Sequence, residues 1–185
     1  MTLTEIMVAA LSRLERGTDT QTIARHRDNF ILYANKAIRM ISDRYRPCRK
    51  QTVNVTNSTI TIAEFDREPI RINKVLVADT EVYYEQTYDG SGVFEIDYGN
   101  ATAATADVIY RFAPAKISNS KDVPELPAYM HDIIVNYIVA CVRAGGDPST
   151  QASSSVDFQM FNQQLMDIKP STLGQPSSKR LKNYY

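Results

Sequence analysis

The chain has 185 residues, 43% of them apolar and 23% charged, with 21 basic side chains against 21 acidic ones. That composition describes one globular domain, or one domain with a large insertion, and excludes wholesale disorder. A net charge of zero argues against a uniformly basic nucleic-acid binder, and no apolar run reaches the ~18 residues that a membrane span needs. The first residues lack a basic segment and a long apolar stretch, so no signal peptide is expected. Cys48 and Cys141 stand too far apart in sequence to suggest a disulfide framework or a metal cluster.

Zero is a sum over segments of opposite sign. Residues 13–50 hold ten basic and four acidic side chains, and residues 51–125 hold six basic and twelve acidic. Residues 126–168 are acidic by three, and residues 169–185 carry Lys169, Lys179, Arg180 and Lys182 with no acid. Blocks of alternating sign suit charge-complementary contact, with other copies or with a partner.

Taken in chain order, Thr2-Leu3-Thr4-Glu5 fits a capping box. Leu3, Met7, Ala10, Leu11 and Leu14 then recur at helical spacing, with Gly17 as a stop. A second helix is expected from Asp19–Thr22, with Ile23, Phe30, Ala34, Ala37, Ile38 and Ile41 on one face, ending before Pro47. The period then shortens to two. Val53 and Val55, Ile60 and Ile62, Ile70 and Ile72, Val75 and Val77, Val82 and Tyr84, Phe94 to Tyr98, and Val108 to Phe112 alternate with polar residues. Asn57-Ser58 reads as a tight hairpin turn and Asp89-Gly90-Ser91-Gly92 as a loop. These runs predict six short antiparallel strands in a small sheet or sandwich.

A polar linker, Ser118 to Asp122, leads to Pro127, which suits the first turn of a third helix through Val142, closed by Gly145-Gly146. A fourth helix is expected from about Ser153 to Ile168, stopped by Pro170. The expected fold is α+β, mainly a four-helix bundle with a small inserted sheet and a flexible C-terminal tail. The expected divisions are 1–49, 50–115, 116–169 and 170–185, with the two helical halves packing on each other.

Little catalytic chemistry is legible. His26 reads as a solvated histidine, and neighbouring His131 and Asp132 point to different faces of a helix, so they form no dyad. No zinc, P-loop, dinucleotide or nucleophile-elbow spacing occurs. Glu64, Asp66 and Glu68 alternate in a way that suits a hard cation, but they lack the glycine turn and closing glutamate of a calcium loop. Cys48 follows Pro47 in a basic run that would lower its pKa, without a partner that would make it a nucleophile. No enzyme, cofactor or metal site is expected. The eleven tyrosines and absent tryptophan are more suggestive, since an apolar ring with a polar tip suits interfaces. Tyr83 and Tyr84 in the β region, with Arg39, Arg44 and Arg46 at the end of the basic block, are the candidates for contacts between copies. Lys179, Arg180, Leu181, Lys182, Tyr184 and Tyr185 read as a basic, aromatic segment that folds on binding.

Glu125-Leu126-Pro127-Ala128-Tyr129, followed by the apolar run to Ala140, the loop Gly146-Asp147-Pro148 and Leu165-Met166-Asp167-Ile168-Lys169, resembles the C-terminal helical hairpin of tailed-phage head-to-tail connector (adaptor, or head-completion) proteins. Thr4-Glu5-Ile6 and Phe30-Ile31-Leu32-Tyr33-Ala34-Asn35-Lys36-Ala37 are similar to the N-terminal helices of that family. The resemblance covers about 90 residues in two blocks that flank the β region. It implies a virion structural protein, made in the host cytoplasm and located in the neck, with no membrane. Such proteins form a ring, typically of twelve copies, under the portal protein, with a tail or neck protein below and genomic DNA passing through. It also implies that residues 172–185 reach into the portal. The alternative from composition is a nucleic-acid-binding module that uses the basic second helix, and a third possibility is a metal-dependent hydrolase at the acidic cluster.

Overall fold

The computed structural model describes residues 1–86, 93–97 and 104–173, with the backbone alone for 86 and 93–97. It divides into two compact units, a helical one of Met1–Tyr45 with Pro114–Pro170 and a β unit built on Arg46–Ala113. The linear order is therefore helical, β, helical, with one helical unit assembled from both ends of that order.

In the helical unit α1 spans Leu3–Arg13 and α2 spans Thr20–Tyr45. The capping box forms as expected: the Thr2 N–H donates to Glu5 Oε2 at 2.8 Å, and the Glu5 N–H donates to Thr2 Oγ1 at 3.3 Å. Asp19 starts α2 in the same manner, its carboxylate accepting from the N–H groups of Gln21 and Thr22 and from the Thr22 hydroxyl. Those bonds, the Thr22 hydroxyl foremost, hold its carboxyl below the usual range. At its far end α2 stops where Arg46 turns left-handed (φ 55°) ahead of Pro47. Its 26 residues make a rod of about 39 Å.

Helix α3 (His131–Ala144) is the centre of this unit and packs against α1, α2 and α4. Ile133 to Ala140 are buried without a break, because an almost wholly apolar run has no face to give to water. Around it Leu3, Ile6, Leu11, Phe30, Ile41 and Phe161 are at most 1% exposed. Helix α4 spans Pro148–Asp167 and so begins a turn earlier than Ser153. Pro148 is favourable there, and the Ser/Thr-rich first turn shows no apolar periodicity to betray it. The residues after Pro127, expected to open the third helix, form a 3₁₀ turn ahead of α3, with Tyr129 70% exposed.

The linker is an ordered strap. The Asp122 carboxylate accepts from the N–H groups of Ser118 and Asn119, and carbonyls of Ser120 and Asp122 receive the first N–H groups of α1. On α2, the Asn35 side chain donates to the Ile117 carbonyl at 2.8 Å and accepts from the Ile117 N–H at 2.9 Å, so one amide replaces a strand partner.

The β unit holds β1 (Cys48–Asn54), β2 (Thr59–Thr61), β3 (Pro69–Val77), β4 (Thr80–Gln86), β5 (Val93–Asp97) and β6 (Thr105–Phe112). All pairings are antiparallel, in the order β1-β6-β3-β4-β5-β2. The expectation of a mainly helical bundle with a small insertion is thereby corrected. The fold is α+β with a substantial sheet, which has a core of its own: Val53, Ile60, Phe65, Ile72, Val75, Val108, Tyr110 and Phe112 are buried together. The strands were expected to be short, but β3 runs nine residues through Ile70–Ile72 and Val75–Val77, its alternation interrupted by a register shift between Ile72 and Lys74. The Asn57-Ser58 turn is present, both residues left-handed, and Thr56 and Thr59 exchange backbone bonds across it. Its arms then part, β1 pairing with β6 and β2 with β5. A second such turn, Ala78-Asp79 (φ 48° and 62°), joins β3 to β4 with alanine, which is no turn former, where the first has asparagine.

Candidate interaction surfaces

In β4 the sheet changes partners. Val82 and the two residues before it pair with β3, whereas Tyr83 to Gln86 pair with β5. Beyond Val75, β3 therefore parts from β4, and a groove of about 1110 Å³ opens between them, lined by Ile70, Arg71, Tyr83, Tyr84, Glu85 and Arg111 among others. Tyr84 bridges the gap, its hydroxyl donating to the Ile72 carbonyl at 2.7 Å. That bond occupies a carbonyl that a continuing β4 would have taken.

Strand geometry separates the two tyrosines singled out from the sequence. Tyr84 turns inward against the β core, while Tyr83, its neighbour, is 72% exposed on the opposite face. On that outward face Glu81 and Glu85 flank Tyr83, and both are exposed. The register puts Glu95 opposite Glu85 and Asp97 opposite Tyr83. Lys74 lies 3.2 Å from Glu81. Along β4, Val82 and Tyr84 pack inward, and Glu81, Tyr83 and Glu85 are exposed.

The three arginines fall apart in space. Arg39 is exposed in the last third of α2, Arg44 is exposed in its last turn, and Arg46 is the left-handed residue after it, its carbonyl accepting from the Cys48 thiol. Along α2, exposed Arg25, Leu32, Lys36 and Arg39 lie seven, four and three residues apart and so form one stripe. Leu32, at its middle, is 63% exposed. Asp28 and Asp43, exposed as well, fall at the same spacings, so the stripe carries both signs. Residues 174–185, and with them Lys179, Arg180, Leu181, Lys182, Tyr184 and Tyr185, lie outside the described residues, as do Tyr88, Tyr98 and the 89–92 loop.

Other residues with chemical potential are tied down. His131 is 2% exposed, its Nδ1 2.7 Å from the Met1 ammonium and its Nε2 3.1 Å from the Leu126 carbonyl. Burial first, then the ammonium, lowers its pKa, so the ring is a neutral core histidine that accepts from the ammonium and donates to the carbonyl. His26 is half-buried and stacked on Phe30 at 5.7 Å, less solvated than expected, and burial with nearby Arg16 and Arg25 lowers its pKa too. The Cys48 thiol is pushed up by burial, opposite to the expectation from its basic neighbours. Glu64 accepts from Asn54, and Asp66 pairs with Arg49 at 3.5 Å. No group of three metal-ligating side chains occurs among the described residues.

A polar cluster unforeseen in the sequence joins α1, α3 and α4. Arg13 donates to Asn136 and lies 3.3 Å from Asp132, Asn136 donates to Gln164 at 2.7 Å, and Arg143 pairs with Asp157 at 2.8 Å. Two cations meet two carboxylates there, and Asn136, 5% exposed, has both ends of its amide engaged. This cluster clamps helices together and leaves no unbalanced charge for a ligand. Asn136, the lone polar residue within the apolar run of α3, is the signal that would have located it.

No protein-family model matches the chain, and no curated protein matches it.

Proposed function

We propose that the chain is a virion structural protein, a head-to-tail connector that assembles as an oligomeric ring under the portal protein. In this reading it acts without catalysis or cofactor, joins the DNA-filled head to a tail or neck protein below, and lets genomic DNA pass through the ring. The observation that carries the reading is the meeting of the two blocks that resemble connector proteins. They lie on either side of the β region in sequence, yet α1 and α2 from one block and α3 and α4 from the other share one core. The exposed tyrosine and the charged faces described above suit a protein whose work is contact.

Residues 172–185 are assigned the portal contact, with Lys179, Arg180, Leu181, Lys182, Tyr184 and Tyr185 as its binding residues. Deleting 172–185 should abolish attachment to portal rings, read by electron microscopy of mixtures, while far-ultraviolet circular dichroism shows the helices intact. Undiminished decoration of portals by the truncated protein would refute the assignment. The competing nucleic-acid reading draws on the exposed cations of α2. It requires a duplex-DNA mobility shift whose affinity falls steeply with salt.

A further inference from the structure

We infer that residues 174–185 seat in the wedge between β3 and β4 of their own β unit, as a short added strand, when no portal is present. The inference rests on the reading that this part of the chain orders on binding, and it names the place on the chain itself where it does so. Once β4 has turned to β5 after Val82, residues 69–74 of β3 keep β6 on one side and have no strand on the other among the described residues. A strand residue turns its N–H and its carbonyl to the same side. The Ile72 carbonyl accepts from the Tyr84 hydroxyl across the wedge, so the Ile72 N–H faces the wedge as well. A strand edge left open in this way pairs with an extended segment through its main chain. The lips supply side-chain contacts, with Ile70 55% exposed on β3 and Tyr83 72% exposed on β4. Tyr84 closes the inner end, which leaves a short seat at the mouth.

Charge does not choose the occupant, since both signs line the wedge, Arg71 and Arg111 with Glu81 and Glu85. Reach does. The described chain leaves the helical unit at Pro170, and residues 171–173 group with the β unit. The twelve residues that follow span up to about 40 Å when extended. A compact unit of about 70 residues is roughly 30 Å across, so the segment can lay a strand anywhere on it. Tethering holds the segment near at an effective concentration on the order of millimolar. A seat too short to keep a free peptide therefore fills with the tethered one. Leu181 and Tyr185, four apart, share one face of an added strand and suit the two exposed side chains at the lips.

The test is hydrogen exchange at the Ile72 amide of the full-length chain without a portal. That amide should exchange at least about tenfold more slowly than in the chain ending at Leu173. It should also exchange at least about tenfold more slowly than in the full-length variant L181S/Y184S/Y185S, which keeps the length of the chain and so guards against an effect of truncation alone. Dilution should leave the protection unchanged, because the contact lies within one copy. Equal exchange in all three chains overturns the inference. Protection that falls with dilution gives the wedge to the segment of another copy and overturns it too. So does protection of the shortened chain that appears only when portal rings are added, which gives the wedge to a portal strand. Portal decoration is read separately. Undiminished decoration after deletion of 172–185 rejects the portal assignment and keeps this contact, whereas lost decoration with equal wedge exchange rejects this contact alone.

Discussion

The helical unit and the β unit solve the same problem of burying an apolar stripe in opposite ways. In the first, a central helix gives every side to its neighbours, and polar groups at its margins are matched one to one, as with Arg13, Asn136 and Gln164 or with Asn35 and Ile117. In the second, strands part beside a groove and Tyr83 is left exposed on the outward face of β4. The difference teaches where to look for function. A surface whose interactions are already satisfied is concerned with its own stability. A surface that keeps an exposed aromatic ring beside an open groove is the better place to look for a partner.

Substitutions can sharpen that contrast. The largest effect is expected at the middle of α3, where Ile134→Ala removes a side chain with no exposure and should cost about 2–5 kcal/mol, read as a lower urea midpoint of the helical signal. The same measurement on Ile72→Ala, at 3% exposure in the sheet, should fall toward the lower end of that range, because the wedge beside β3 leaves room for the site to relax. Equal losses would mean that the β core is as tightly closed as the helical one. Next is Asn35→Ala. It strands the Ile117 N–H and carbonyl and should cost about 1–3 kcal/mol, with faster hydrogen exchange at the Ile117 amide as the local mark.

The smallest effect is one of pH. His131 has a lowered folded-state pKa, so the unfolded chain binds its proton first. Stability contributed by the neutral ring is full above the unfolded value of about 6.5. It falls as pH drops from there towards the lower folded pKa. Proton resonances of the ring should titrate below the ordinary histidine range, and His131→Gln should flatten this part of the stability profile. A ring that titrates normally would mean that water reaches it.

Local features were legible in the sequence to the degree that they are local. The Thr2–Glu5 box, the reach of α2 up to Pro47 and the Asn57-Ser58 turn each depend on residues within a few positions, and each formed as read. The Ala78-Asp79 turn escaped because alanine at its first position is no turn former, and the length of β3 was hidden because a bulge interrupts its alternation. Of the candidate contact residues, alternation alone would have separated Tyr83 from Tyr84.

By itself the sequence determined where α1 begins and α2 ends, which segments alternate, and that charge is laid out in blocks, since these follow from backbone sterics, caps and side-chain period. Only the tertiary structure decided that residues before 46 and after 113 share one core. Only it decided that β4 leaves β3 for β5 after Val82. The physical reason is that strand pairing and helix packing join residues distant in the chain. Their cost and gain are set by which surfaces meet, a quantity no window of sequence contains.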